Sequence, residues 1–143
     1  MNWKDASDTA QDYGGRPYVG NIPHLAADNT NFRTAIWTGS NLQMTLMHLP
    51  PRGEIGLEMH GDVDQLIRVE QGCALVKMGI CREQPDTQCH LSRGDAIFVP
   101  AGTWHNVINM GRIPLKLSSV YAPPNHPWGT VHRTKEDAER AEY

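Results

Sequence analysis

The sequence lacks any apolar stretch of about 18 residues, the length that a membrane-spanning helix requires. Its N-terminal stretch, MNWKDASDTAQDYGG, is polar and has no apolar core of a secretory signal peptide. A basic stripe is also absent, and the formal net charge is −3, which argues against binding to nucleic acid. These absences predict a cytoplasmic protein that binds neither membranes nor nucleic acid.

Cysteine is scarce, and its spacing carries little information. The three residues, Cys73, Cys81 and Cys89, are odd in number, and no two of them form a Cys-x-x-Cys motif. Such a pattern gives no support to a disulfide framework or a cysteine-based zinc site. In a reducing compartment all three are predicted to be free thiols.

Glycine and proline, by contrast, are frequent and clustered between short alternating segments. The chain of 143 residues contains 13 glycines and 10 prolines, and 39% of its residues are hydrophobic, enough for one core in one domain. The segment LQMTLMHL, residues 42–49, alternates apolar and polar residues as a half-buried strand does. Segments of this kind predict strands at 31–38, 42–49, 55–60, 65–69, 73–78, 95–99, 104–109 and 115–121, with a polar loop at 79–90.

A strand that ends in a Pro-Ala-Gly turn delivers one histidine to the start of the next strand. The pattern is Gly94-x5-Pro100-x-Gly102-x2-His105-x3-Asn109, in the stretch GDAIFVPAGTWHNVIN. Upstream, Glu58 and His60 stand two apart and therefore project from the same face of an extended segment.

A turn-like Gly-Asp-Val-Asp follows these two residues, and Gln65 then opens the next strand, where it can face the same interior. Two neutral imidazoles and one carboxylate suit a divalent cation such as iron, manganese, nickel, cobalt or zinc. We therefore predict a site for one divalent ion at Glu58, His60, Gln65 and His105.

These two motifs resemble those of the cupin superfamily, over roughly residues 31–122. The second motif matches at every defined position, whereas the first has Glu58 in place of a histidine and Gln65 in place of a glutamate. The usual set of three histidines and one glutamate carries one negative charge, and the set in this chain carries the same charge. The stretches NFRTAIWTG and YAPP also look like those of small bacterial cupins described as mannose-6-phosphate-isomerase-like.

The resemblance implies an all-β fold, a single jelly-roll barrel. Residues 1–30 are expected to form an N-terminal arm, residues 31–122 the barrel and residues 123–143 a tail. In the tail, residues 134–142 are predicted to be a short helix with Thr134 as N-cap and Asp137 three residues later. A homodimer is expected, with residues 18–25 as an edge strand given to the partner.

Further candidates come from residue types near the predicted site. Glu54 and Tyr121 are the candidate catalytic residues, because an isomerase needs a general base within reach. Trp37 and Trp104 are candidates for lining a substrate pocket, and Arg33 for holding an anionic group.

The function favoured at this point is isomerase-type Lewis-acid chemistry on a small polar or carbohydrate-like substrate. Two alternatives stay open, because fold alone does not select among them. One is a small-molecule binding or sensing cupin without turnover, and the other is an iron-dependent dioxygenase that uses two histidines and a carboxylate.

Overall fold

Two antiparallel sheets face each other in the computed structural model, which describes residues 11–141. The strands are β1 Arg33–Thr38, β2 Gln43–Leu49, β3 Asp64–Gln71, β4 Ala74–Gly79, β5 Thr87–Leu91, β6 Ala96–Val99, β7 Trp104–Asn109, β8 Leu115–Ala122 and β9 Val131–His132. The helices are α1 Ile22–Asp28 and α2 Lys135–Arg140. One sheet has the strand order β6-β3-β8-β2-β1-β9 and the other β5-β4-β7. The predicted all-β architecture with only short helices is confirmed.

The core lies between the two sheets and is built from inward residues of both. Leu117 and Ile67 come from the larger sheet and Val76 and Val107 from the smaller one, and each is at most 1% exposed. Alternation along each strand places these apolar side chains inward, as the period of two requires. Burial of this continuous apolar cluster is the main stabilising contribution to the fold.

The inner face of the larger sheet changes from apolar to polar along the strands. At one end, the cross-strand row contains Gln43, Tyr121 and Gln65, which are neighbours on β2, β8 and β3. The next row pairs Thr45 with Ser119. Further along, the rows become apolar and contain Met47, Leu117 and Val69, then Leu49 and Leu115. The barrel is therefore filled with hydrocarbon at one end and lined by polar groups at the other.

Residues 55–60 do not form the continuous strand that their alternation predicts. Only isolated bridges occur there, from Glu54 to Ile108 and from Glu58 to His105. Gly56 adopts φ 104°, outside the extended region, and this interrupts a regular ladder. The segment still lies alongside β7, because Ile55 N donates to the carbonyl of Val107.

The predicted loop at 79–90 is also wrong, since it contains β5. Strand β5 pairs with β4 along its full length, from Met78 with Thr87 to Ala74 with Leu91. Of its five residues only Leu91 is buried. An edge strand that is exposed on both faces shows no hydrophobic alternation, so its sequence looks like a loop.

Residues 18–25 are not an edge strand, because α1 begins at Ile22. The side chain of Asn21 accepts a hydrogen bond from His24 N at 3.0 Å, and Pro23 occupies the first turn, two features that favour a helix start. Helix α1 packs Ala26 against Ile36 and Leu46 on the outer face of the larger sheet. The homodimer itself stays a prediction.

The helix expected in the tail is α2, and its start is the predicted one. Thr134 accepts a hydrogen bond from Asp137 N at 3.1 Å, and Asp137 accepts one from Thr134 N at 3.3 Å. This reciprocal pair is a capping box. Residues 1–10 of the predicted arm and Glu142 of the predicted helix lie outside the described residues.

The described residues also bear on the predictions about membrane spans and cysteines. No helix within residues 11–141 is long and apolar enough to span a membrane. Cys73, Cys81 and Cys89 are free thiols, and the first two are exposed.

A core substitution should show how strongly the inter-sheet cluster stabilises the fold. Leu117→Ala removes a side chain that is fully buried, so we expect the free energy of unfolding to fall by about 2–5 kcal/mol. Chemical denaturation monitored by circular dichroism measures this loss. The matched control is Leu42→Ala, because Leu42 is 44% exposed and should cost less than about 1 kcal/mol. Equal losses in the two variants would contradict this assignment of the core.

Candidate metal centre

Glu58 and His105 are brought together by their own backbones. Glu58 N donates to the carbonyl of His105 at 3.0 Å, and His105 N donates to the carbonyl of Glu58 at 2.9 Å. Residues that exchange both bonds stand directly opposite each other, with their side chains on the same face. The side chain of His105 is fully buried, whereas that of Glu58 is 29% exposed.

His60 completes a group of three with these two residues. Its Nε2 lies 3.5 Å from Glu58 Oε1, and His105 Nε2 lies 3.4 Å from the same oxygen. The three donor atoms are all within 4.8 Å of one another, and the two imidazole rings are 5.5 Å apart between centroids. The spacing of two residues thus does put Glu58 and His60 on one side, as predicted, and the antiparallel pairing adds His105.

The tautomer of His105 can be read from its other ring nitrogen. Nδ1 lies 3.1 Å from the carbonyl of Thr103, which can only accept a hydrogen bond. Nδ1 therefore carries the proton, and in the neutral ring Nε2 presents a lone pair toward Glu58. A hydrogen bond from the other ring nitrogen to a carbonyl is what orients a metal-ligating histidine.

The orphaned donor atoms fit a bound cation. The Nε2 atoms of His60 and His105 are buried and have no hydrogen-bond partner among the described residues. In the neutral ring of His105, the lone pair of Nε2 faces Glu58 Oε1 at 3.4 Å, and the two atoms repel each other unless a proton or a metal ion lies between them. Ligands about 2.1 Å from a tetrahedral ion stand about 3.4 Å apart, close to the separations seen here.

Glu58 provides the negative charge of the group. Burial by itself raises the pKa of this carboxyl, but the imidazoles of His105 and His60 outweigh that effect and hold the pKa well below its usual range. The carboxylate is therefore ionised at neutral pH. One carboxylate and two imidazoles form the donor set of many divalent-metal sites, including the facial triad of non-haem iron enzymes.

Gln65, the fourth predicted ligand, is buried on β3 beside Tyr121. Its Nε2 donates to Ser119 Oγ at 2.8 Å, which fixes the orientation of the amide. Its Oε1 is buried and has no hydrogen-bond partner among the described residues. An oriented amide oxygen without a partner is available as a neutral oxygen donor.

Tyr121 lies against the group, as expected of a residue that acts there. Its ring packs edge-on against His60, with centroids 5.9 Å apart, and the residue is 1% exposed. Burial raises the pKa of the phenol, and the charge of Glu58 adds to that, while Arg33 and the nearby hydroxyls act in the opposite direction. The phenol is therefore protonated at neutral pH and can donate a hydrogen bond.

Three of the other candidates are not brought to this group. Glu54 accepts from Asn106 Nδ2 at 3.3 Å, and Asn106 alternates with His105 on β7, so it points to the opposite face. Trp104 likewise lies on the outside, where its ring is 5.4 Å from the guanidinium carbon of Arg82. Trp37 Nε1 donates to the carbonyl of Arg16 at 2.7 Å and packs toward the N-terminal segment.

The tail supplies residues of this site that the sequence pattern does not reveal. His126 packs edge-on against Tyr121 with centroids 5.1 Å apart, and His132 follows at 6.3 Å from His126. Gln43 holds this part of the tail in place: its Oε1 accepts from His126 N at 2.9 Å, and its Nε2 donates to the carbonyl of His126 at 2.9 Å. Only the short spacing of two histidines among the prolines and tryptophan after Tyr121 hints at this role.

The comparisons with known proteins agree with this architecture. The family model described as a cupin domain matches residues 45–121, more than half of the chain. The uncharacterized protein YrkC of Bacillus subtilis (strain 168) is 52% identical over 141 residues, which are 99% of this chain and 76% of that protein.

Solved structures point the same way. The crystal structure of BH2720 from Bacillus halodurans has a TM-score of 0.91 at 50% identity, over 92% of this chain and 99% of that chain. A cupin superfamily protein (DSY2733) from Desulfitobacterium hafniense DCB-2 has a TM-score of 0.61 at 19% identity, over 76% of this chain and 94% of that one, which bears on the fold alone. With the barrel, the two motifs and these relatives in agreement, the chain belongs to the cupin family.

Proposed function

We propose that this cupin binds one divalent metal ion through Glu58, His60 and His105, with Gln65 as a fourth ligand, and acts on a small polar substrate. The observation that carries the proposal is the convergence of three donor atoms, two of them buried without a partner among the described residues. When bound, the ion supplies Lewis-acid chemistry that polarises a substrate carbonyl.

The remaining side chains fit a polar, carbohydrate-like substrate. Thr45, Ser119 and Tyr121 line the same end of the barrel and offer hydroxyl and phenol groups. Tyr121 is protonated, so its phenol can donate a hydrogen bond to a substrate oxygen as negative charge develops there. The finer part of the proposal is isomerase-type chemistry, as in the mannose-6-phosphate-isomerase-like group that the sequence resembles.

Two other functions use the same site. The donor set of two histidines and one carboxylate favours iron-dependent oxygen chemistry. A binding or sensing role is favoured because Glu58 and the buried carboxylates are already engaged. Glu70 pairs with Arg68 at 3.0 Å and accepts from Ser118 Oγ at 2.7 Å. Glu58 belongs to the metal group, and Asp12 already accepts hydrogen bonds from Gly14 N, Thr38 Oγ1 and Gly129 N.

Metal content is the first quantity to measure. Wild-type protein loaded in turn with manganese, iron, nickel, cobalt and zinc and then dialysed should retain one ion per chain by elemental analysis. Glu58→Gln keeps the shape but removes the charge, and His105→Ala removes a buried ligand, so we expect both to lose most of the metal. His90→Ala is the matched control, because His90 is exposed on β5. Full occupancy in both site variants would contradict the assignment.

Gln65 offers a test in the opposite direction. Gln65→Glu places a second carboxylate at the position of the amide oxygen, where it can still accept a hydrogen bond from Ser119. We expect metal affinity to rise by about tenfold, because added ligand charge tightens cation binding. Competition with a metallochromic indicator measures the affinity. The control is Gln88→Glu, which adds the same charge at an exposed position. An equal rise in both variants would show a general charge effect and no role for Gln65.

Solvent exchange tests the proposed chemistry without knowledge of the product. Metal-loaded protein is incubated with aldoses and ketoses in deuterium oxide, and exchange of the hydrogen next to the carbonyl is followed by proton NMR. We expect exchange in the wild type and a fall of about 10²–10⁴-fold in Tyr121→Phe with metal content unchanged. Tyr18→Phe, in the N-terminal segment, should match the wild type.

The same samples distinguish the alternatives. Consumption of oxygen by the iron-loaded protein, without exchange, favours the oxygenase. Binding of a sugar without exchange or oxygen consumption favours a non-catalytic cupin, and either result contradicts the isomerase.

A further inference from the structure

A buried arginine stands on the inner face of the larger sheet, two rows along the strands from Tyr121. Arg33 opens β1, where it pairs with Met47 on β2 and with His132 on β9. It is only 5% exposed, although its guanidinium is always charged at neutral pH. Its Nε is buried and has no hydrogen-bond partner among the described residues. A charge in this position needs a compensating group.

His132 holds the guanidinium but does not neutralise it. Arg33 Nη1 lies 3.1 Å from His132 Nδ1. Because a guanidinium can only donate, Nδ1 accepts and the proton of the neutral ring is on Nε2. Burial lowers the pKa of His132, and the charge of Arg33 lowers it further, in agreement with a neutral ring. The ring of Phe32 is a further, uncharged neighbour, with its centroid 5.2 Å from the guanidinium carbon.

No carboxylate of the described residues lies within salt-bridge distance of Arg33. Glu58 faces the two imidazoles of the metal group, and Asp137, whose charge acts on His132, is held in the capping box of α2. Asp12 is engaged by Thr38 at the opposite end of β1. An unpaired buried charge lowers the stability of the fold, because the charge loses its hydration. A ligand of opposite charge would offset this loss.

A continuous row of side chains in contact, called the wall below, connects the metal group to Arg33. Ring contacts run from His60 to Tyr121, from Tyr121 to His126 and from His126 to His132. The charge of Arg33 reaches both middle members of this wall. Burial lowers the pKa of His126 to about 3, and Arg33 contributes in the same direction. In the phenol of Tyr121, burial raises the pKa and Arg33 opposes it. The metal group and the guanidinium are thus joined by one run of packed rings on the inner face of the barrel.

We infer that Arg33 binds the carboxylate of an anionic substrate, such as a hydroxy or oxo acid, whose other end lies at the metal group. The inference rests on the proposed function and narrows its substrate class from polar to anionic. A guanidinium presents its donors in a planar fork that matches a carboxylate. A single cation matches a monoanion, whereas a phosphate dianion usually takes several donors. His132 is a positioning residue, because it orients Nη1 of Arg33.

Calorimetric titration of the metal-loaded protein tests the inference. The probes are the carboxylates glycolate, lactate and gluconate, the neutral polyol glucitol, and inorganic phosphate and glucose 6-phosphate. We expect a carboxylate, gluconate above all, to bind at least about tenfold more tightly than glucitol. Arg33→Met keeps much of the side-chain volume and should abolish that preference while metal content is unchanged. Arg68→Met is the control, since Arg68 faces outward and pairs with Glu70 at 3.0 Å.

A second variant covers the case in which Arg33→Met does not fold. Arg33→Lys keeps the charge but loses the fork, so the preference for gluconate should fall by about tenfold while binding of glucitol stays the same. His132→Ala should weaken gluconate binding to a smaller extent, because it releases the guanidinium without removing it.

Failure of this inference and failure of the proposed function give different results. The inference is overturned if no carboxylate binds to the wild type, if Arg33→Met and Arg33→Lys bind gluconate as the wild type does, or if the phosphates bind more tightly than the carboxylates. Metal binding and exchange with neutral sugars would then still stand. If instead gluconate binding depends on Arg33 but the protein retains no metal and shows no exchange, the anion site stands and the proposed function falls.

Discussion

The reciprocal pair of backbone hydrogen bonds between Glu58 and His105 is the constraint on which the site depends. It fixes two ligands opposite each other although 47 residues separate them in the sequence, and it sets the face on which His60 must also project. Because the side-chain period of a strand is two, a slip of one residue in this pairing would turn His105 outward and Asn106 inward. Gly56, at φ 104°, limits the pairing with β7 to isolated bridges, so the position of β7 is set by its register against β4.

The polarity gradient inside the barrel explains why the fold tolerates such a site. The apolar rows around Leu117 and Val107 supply the cohesion, so the rows with Gln65 and Tyr121 can keep polar groups that lack partners. Buried polar groups without hydrogen-bond partners lower the stability of the unliganded protein. A ligand that supplies these partners would recover that stability. The ionised carboxylate of Glu58 and the guanidinium of Arg33 stand at opposite ends of the run of packed rings, a separation of charge that suits a substrate with two different ends.

The C-terminal tail packs into the barrel and contributes His126 and His132 to the run of rings beside the metal group. Gln43, which is fully buried, binds the backbone of Asn125 and His126 and also donates to Thr38 Oγ1 at 2.9 Å. Asp12 continues this network from Thr38 to Gly129 N, and Trp128 Nε1 donates to the carbonyl of Gly14. The N-terminal segment and the tail therefore hold each other across the edge of the larger sheet, and this contact places His126 and His132 inside.

The sequence by itself determined the strand pattern, the turn before His105, the capping box of α2 and the identity of Glu58, His60 and His105 as a group. The first three features are local, since alternation, turn residues and cap residues act within a few positions of the chain. The grouping of Glu58 with His105, 47 positions away, came instead from the two motifs and their resemblance to those of cupins. Only the tertiary structure decided that Glu54 and Trp104 face away from the site and that β5 is a strand. It also decided that His126, His132 and Arg33 lie next to one another on the inner face. Such facts depend on register and on contacts between distant segments, which no local pattern encodes, because the same residue types stand equally well on an outer face or an inner one.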